Sequence, residues 1–172
     1  RHVGSLDSGS PCFIQGRVRV FPDRDIEGGS MENSVTILIG GEAGQGLLTV
    51  GHVLARVLVR SGYHIVAAQD YMSRIRGGHN SFAIRMSTDP VSAPREKVDM
   101  LITLDGRSVA EHLSSLAPDG IIIMDSGNGA ETGGAACLRV PVADLGKPSL
   151  YNFMAAGVAG ALLGLEESLM VK

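Results

Sequence analysis

Tryptophan is absent from this 172-residue chain, and aromatic residues make up only 4% of it. A core so short of rings must close by small residues, and 23 glycines with many alanines point to backbone packed against backbone. Cysteine is scarce too. Cys12 and Cys137 form no C-x-x-C pair, which argues against an iron–sulfur cluster or structural zinc on this chain. Two isolated cysteines and no signal peptide suit a reduced, cytoplasmic setting. With a formal net charge of -3 there is no basic field to attract nucleic acid. The longest uncharged stretch, Pro148 to Leu165, carries Ser149 and Asn152 and falls short of the ~20 apolar residues of a membrane span. At this length one domain with appendages is expected.

What the chain does have is concentrated in residues 35–80. Val35-Thr-Ile-Leu-Ile39 reads as a strand buried on both faces. Gly40, Gly41, Gly44 and Gly46 follow, where strand turns sharply into helix. In the next segment Val50, Val53, Leu54, Val57 and Leu58 share one helical face, while His52, Arg56 and Arg60 form a solvated one. This is the opening of a Rossmann-like βαβ unit, with His64–Ala68 as the second strand. The first N–H groups of such a helix, with the positive end of its dipole, make the turn hospitable to a phosphate or carboxylate. The same turn is also explained by tight strand–helix packing alone.

Two nucleotide motifs fail at this turn. Glu42, Ala43 and Gln45 interrupt the glycines of G-x-G-x-x-G, although Asp70 stands where a ribose-binding acid belongs. Gly41 to Gly46 has the spacing of a phosphate loop, but Leu47 and Leu48 replace the required Lys and Ser/Thr, which argues against an ATPase.

Elsewhere, residues 1–30 read as a vector-derived or flexible leader, with Met31 like a native start and residues 31–172 as the domain proper. Cys12–Ile14 and Arg17–Phe21 could add a small edge strand. Tyr71–Asn80 is a long functional loop. Ser81–Ser87 alternates Phe82, Ile84 and Met86 with small or charged residues, which predicts an exposed face and a mixed sheet edge. Asp99–Asp105 and Ile121–Asp125 are core strands, with Asp105 most simply a helix cap. Ala136–Val142 is an outer strand, since Pro141 cannot donate to a ladder. A final helix runs from Pro148 to about Leu165. The fold class is α/β, a three-layer domain with a largely parallel, possibly mixed sheet.

Gly40-Gly-Glu-Ala-Gly-Gln-Gly46, Asp70-Tyr-Met-Ser-Arg-Ile-Arg-Gly-Gly-His-Asn80 and Asp99-Met-Leu-Ile-Thr-Leu-Asp105 together resemble the gamma subunit, or gamma domain, of the 2-oxoacid:ferredoxin (acceptor) oxidoreductases. The resemblance covers about residues 33–165 and is strongest to the form in which gamma is fused ahead of alpha, so that Lys172 would be a domain boundary. It implies oxidative decarboxylation of a 2-oxoacid, transfer of the acyl group to coenzyme A, and electrons leaving through iron–sulfur clusters to ferredoxin. Thiamine diphosphate, magnesium and the clusters are implied on alpha and beta partner components. This chain carries no cysteine constellation and no G-D-G with paired asparagines, and is expected to be inactive alone.

The resemblance places the gamma domain against the active site and beside coenzyme A. The candidate contacts are Gly41, Gly44, Gln45 and Gly46 in the turn, with Arg74, Arg76, Gly77, Gly78, His79 and Asn80 in the loop. Arg74 and Arg76 offer planar forks matched to phosphate, or equally to a partner's carboxylates. His79 can move a proton near neutral pH but reads first as a hydrogen-bonding neighbour, so no catalytic residue is assigned. His2, His52, His64 and His112 lack ligand-like spacing, and no metal site is expected. Two competing readings stay open: a nucleotide-dependent dehydrogenase using Asp70, and an assembly module touching no ligand. A homodimer is a further open pairing.

Overall fold

The computed structural model describes residues 13–14, 17–18, 34–71, 78–144 and 150–170. The proposed leader falls almost wholly outside these residues. Its described parts, β1 (Phe13–Ile14) and β2 (Arg17–Val18), pair with each other as a separate antiparallel ribbon rather than extending the main sheet.

Next come β3 (Ser34–Glu42), α1 (Leu47–Arg60), β4 (His64–Tyr71), β5 (His79–Ser87), β6 (Val98–Thr103), α2 (Arg107–His112), a 3-10 turn and β7 (Leu116–Asp125). The chain then adds β8 (Ala136–Val140), α3 (Tyr151–Leu162) and α4 (Glu167–Met170). The main sheet has six strands in the order β4-β5-β3-β6-β7-β8. β3, β6, β7 and β8 run parallel, and β5 is antiparallel to both of its neighbours. The expected α/β class with a largely parallel sheet holds.

The opening unit differs from a simple βαβ. β4 does not lie beside β3; β5 is inserted between them. The link from Tyr71 to His79 is shorter than the roughly dozen residues of a parallel crossover, so β5 must fold straight back. The gap left when α1 carried the chain over one position receives it. Phe82, Ile84 and Met86 are therefore buried under α1, and the expected mixed character holds, but β5 is an inner strand and not an edge. The edge is β4, where His64, Ala67, Ala68 and Asp70 are exposed. As the position of Pro141 implied, β8 is the other edge.

α1 buries Leu47, Val50, Gly51, Leu54, Val57 and Leu58, the stripe its period predicts. His52, Arg56 and Arg60 are exposed. It ends in paired bonds from Gly62 N to Val59 O and from Tyr63 N to Leu58 O, a Schellman stop that satisfies its last carbonyls. The low aromatic content is used as expected. A Cβ on Gly51 would lie 2.5 Å from the Phe82 ring, so the helix backbone rests directly on that strand.

The two outer layers are unequal. Ile37, Ile39, Leu54, Ile84 and Ala155 belong to a large core that joins the sheet to α1 and α3. On the other face Leu38, Leu101, Ile122 and Met124 meet Val109 from the short α2 in a smaller core. Among the described residues no helix is long and apolar enough to cross a membrane.

Candidate functional site

The carboxyl end of β3 is where the two singled-out loops meet. The β3–β5 register pairs Gly41 with Asn80 and Glu42 with His79, and Ala43 N donates to Gly78 O at 3.4 Å. The glycine turn and the close of the Tyr71–Asn80 loop are therefore neighbours at the rim of the sheet. Arg74, Arg76 and Gly77 lie outside the described residues.

The turn is built by its own atoms. Glu42 N donates to Gln45 Oε1 at 2.9 Å, and Gln45 N to Glu42 O at 3.2 Å. Gly41 is needed because a Cβ there would stand 2.7 Å from Gln45 Oε1 and 2.9 Å from Leu104 Cβ. Gly46 caps α1 at φ 76, a left-handed conformation that side chains resist. Among the described residues no side chain caps this helix, and its first turn carries no acid. Its leading N–H groups and the positive dipole end thus remain available to an anion. Asn152 from α3 donates Nδ2–H to Gln45 O at 3.1 Å, tying the turn to the C-terminal helix.

His79 and Asn80 are both buried, at 4% and 6% exposure, which makes them footings of the rim rather than open surface. His79 Nε2 lies 2.8 Å from His112 Nε2 on α2. Its Nδ1, like Asn80 Oδ1, has no hydrogen-bond partner among the described residues. The His112 imidazole is held below its ordinary pKa, first by burial and then by His79. A Cβ on Gly40 would lie 2.9 Å from both Cβ and Oγ of Ser108, so α2 sits on bare backbone.

Asp105 proves to be a cap: its Oδ1 accepts from Ser108 N and Ser108 Oγ, each at 2.8 Å. Asp125 Oδ1 accepts from Gly127 N at 3.2 Å and shapes the following turn. Between these strand ends Tyr151 Oη donates to Thr103 O at 2.9 Å, and burial pushes its pKa far above the usual phenol range. Asp70 is exposed on β4, two strand spacings (~9.6 Å) from β3. A ribose-binding acid belongs on the strand adjoining the glycine turn, so this topology removes the geometric basis of the dinucleotide reading. Among the described residues no group of three or more His, Cys, Asp or Glu side chains is arranged to hold a metal ion.

His112, Asn152 and Tyr151 were not legible as site residues. Each reaches the rim from a distant part of the chain, and none stands in a local motif.

Residues 36–172 match the family described as pyruvate ferredoxin/flavodoxin oxidoreductase. The chain is 30% identical over 139 residues to the 2-oxoglutarate synthase subunit KorC of Archaeoglobus fulgidus, covering 79% of this chain and 74% of that one. It is 29% identical over 93 residues to 2-oxoacid:ferredoxin oxidoreductase 2, subunit alpha, of Aeropyrum pernix. That match takes in 54% of this chain and only 14% of the longer relative. The fold resembles the gamma subunit of a keto/oxoacid ferredoxin oxidoreductase from Geobacter sulfurreducens, with TM-score 0.66, 21% identity, and 79% and 82% of the two chains covered. It also resembles a 2-oxoglutarate:ferredoxin oxidoreductase from Magnetococcus marinus, solved with 2-oxoglutarate, coenzyme A and succinyl-CoA bound. There the TM-score is 0.72 at 19% identity, covering 81% of this chain and 26% of that one.

Proposed function

Because the chain belongs to the pyruvate ferredoxin/flavodoxin oxidoreductase family, we propose that it serves as the gamma component of a 2-oxoacid:ferredoxin oxidoreductase. The complex converts a 2-oxoacid and coenzyme A to acyl-CoA and carbon dioxide, and two electrons pass singly to ferredoxin. Alpha and beta components hold thiamine diphosphate, magnesium and the iron–sulfur clusters. This chain supplies part of the coenzyme A and inter-subunit surface.

The observation that supports the ligand role is the Ala43–Gly78 bond, which sets the glycine turn beside Gly78, two residues after Arg76 in the chain. Gly44, where a Cβ would meet nothing within 4 Å, lets a phosphate approach the start of α1, while Gly41 and Gly46 make room for Gln45 and Asn152 of the chain itself. Arg74 and Arg76 supply charge, with Gly77 and Gly78 allowing close approach. Gln45 offers its amide Nε2, since its oxygen is committed to Glu42 N. His79 and Asn80 anchor the loop from below.

One observation favours assembly as an additional role. Leu150 and Phe153 expose apolar surface on either side of Asn152, at the edge of the same turn.

The test is a complex reconstituted with alpha and beta components carrying Arg74→Ala and Arg76→Ala. Charge-assisted hydrogen bonds worth ~1.5–3 kcal/mol would raise the KM for coenzyme A about 10- to 100-fold and leave that of the 2-oxoacid alone. An unchanged coenzyme A KM with weakened assembly would leave only the structural role.

A further inference from the structure

The proposed contacts leave one polar pair at this rim unexplained. Two imidazoles from elements 33 residues apart meet at 2.8 Å between their Nε2 atoms. A neutral imidazole has one N–H and one bare nitrogen, so the two rings must be opposite tautomers at the shared position. His79 is only 4% exposed and its Nδ1 has no partner among the described residues. A buried orphan acceptor is tolerated more often than a buried orphan N–H. His79 therefore keeps Nδ1 bare and donates from Nε2, and His112 accepts.

That assignment makes the bond sensitive to protons. The atom of His112 that accepts is the one a further proton would occupy. With His112 charged, the contact survives only if His79 moves its own proton to Nδ1, where it is buried and unpaired. A second proton would set two like charges 2.8 Å apart. Around His112 stand Glu111 on its own helix, Asp105 from the β6–α2 turn, Asp70 from β4 and His79 from β5. The three carboxylates favour the charged ring, but burial and His79 outweigh them.

His79 begins β5 immediately after Gly78, whose carbonyl holds Ala43 in the glycine turn. α2 in turn lies on the backbone of Gly40, leaving no slack between the helix and β3. We infer that His112 is a positioning residue: its bond to His79 clasps the start of β5 to α2, fixes Gly78 beside the glycine turn, and opens on protonation. The link to coenzyme A rests on the function proposed above; the clasp does not.

The experiment uses the assembled oxidoreductase, with His112→Gln and His112→Leu variants. Gln keeps a donor and an acceptor but does not titrate; Leu removes the contact. The first readout is amide hydrogen exchange at residues 78–82, corrected for intrinsic exchange, between about pH 8 and about pH 5.5. Wild type should lose protection about tenfold toward the acid end, Gln should stay protected throughout, and Leu should be unprotected at both ends. Equal protection in wild type and Leu at every pH would overturn the clasp, as would the same acid loss in Gln. The second readout is the KM for coenzyme A relative to that for the 2-oxoacid. It should rise several-fold more toward acid in wild type than in Gln, which reports the change due to the ligand's own phosphate alone. A clasp that opens without moving that ratio beyond its change in Gln would stand as a structural device while the coenzyme A role of the loop falls.

Discussion

Substituting alanine at Gly40 tests how closely α2 is seated on the sheet. A Cβ there would meet Ser108 Cβ and Oγ at 2.9 Å and His112 Cδ2 at 3.3 Å. Ser108 is fully buried, so it has no free space to retreat into. Forcing an extra carbon into a packed contact costs ~1–3 kcal/mol, and removing a strand glycine returns ~0.5–1 kcal/mol. Gly40→Ala should therefore destabilise the chain by a net ~1–2 kcal/mol. For a domain of this size that corresponds to a Tm fall of about 2–4 °C per kcal/mol. The decisive measurement is the double-mutant cycle with Ser108→Gly, read by urea unfolding. Ser108→Gly alone loses the Oγ bond to Asp105 and adds a helix glycine, for ~2 kcal/mol. In that background Gly40→Ala should cost little or stabilise, because the two nearest obstructing atoms are gone and only His112 Cδ2 at 3.3 Å remains. The coupling should reach ~1–3 kcal/mol. Costs that add to within ~0.5 kcal/mol would show that the contact does not limit this packing.

Asn152→Ala removes the amide that holds Gln45 O and should cost ~0.5–1.5 kcal/mol in urea unfolding. In the assembled enzyme it should also raise the KM for coenzyme A; an unchanged KM would detach α3 from the ligand edge. Tyr151→Phe deletes the donor to Thr103 O inside the sheet and should cost ~1–3 kcal/mol. Because burial pushes the Tyr151 phenol upward, that cost should not vary with pH in the neutral range. His112 gives the opposite signature. Its folded pKa lies below the ordinary histidine value of 6.5, so the unfolded chain takes up the proton first. Stability from His112 is thus fully present above that value and lost as pH falls through the lower folded one. The urea midpoint should drop over that window in wild type and flatten in His112→Gln; parallel curves would refute the burial argument.

The dehydrogenase alternative shows where local sequence misleads. Asp70 ends the second strand in chain order, as a ribose-binding acid would, but order along the chain is not order across the sheet. The β5 insertion separates β4 from β3 by two spacings and leaves Asp70 exposed at the far edge. The edge position expected of Ser81–Ser87 failed for the same reason, although Phe82, Ile84 and Met86 do share one face. Their alternation was correct, but the face they occupy turned out to be the one beneath α1. Asp105, by contrast, was readable as a cap, because its partner Ser108 is three residues away.

The amino-acid sequence by itself determined the strand, glycine turn and helix of residues 34–60, the outer place of β8, and the family. Each of these depends on residues close together in the chain, whose periodicity, turn chemistry and wording act locally. Tertiary structure alone decided the position of β5, the unequal outer layers and the meeting of His79 with His112. Strand order and cross-sheet contacts arise from which surfaces bury each other, and that competition leaves no mark at any single stretch of the chain.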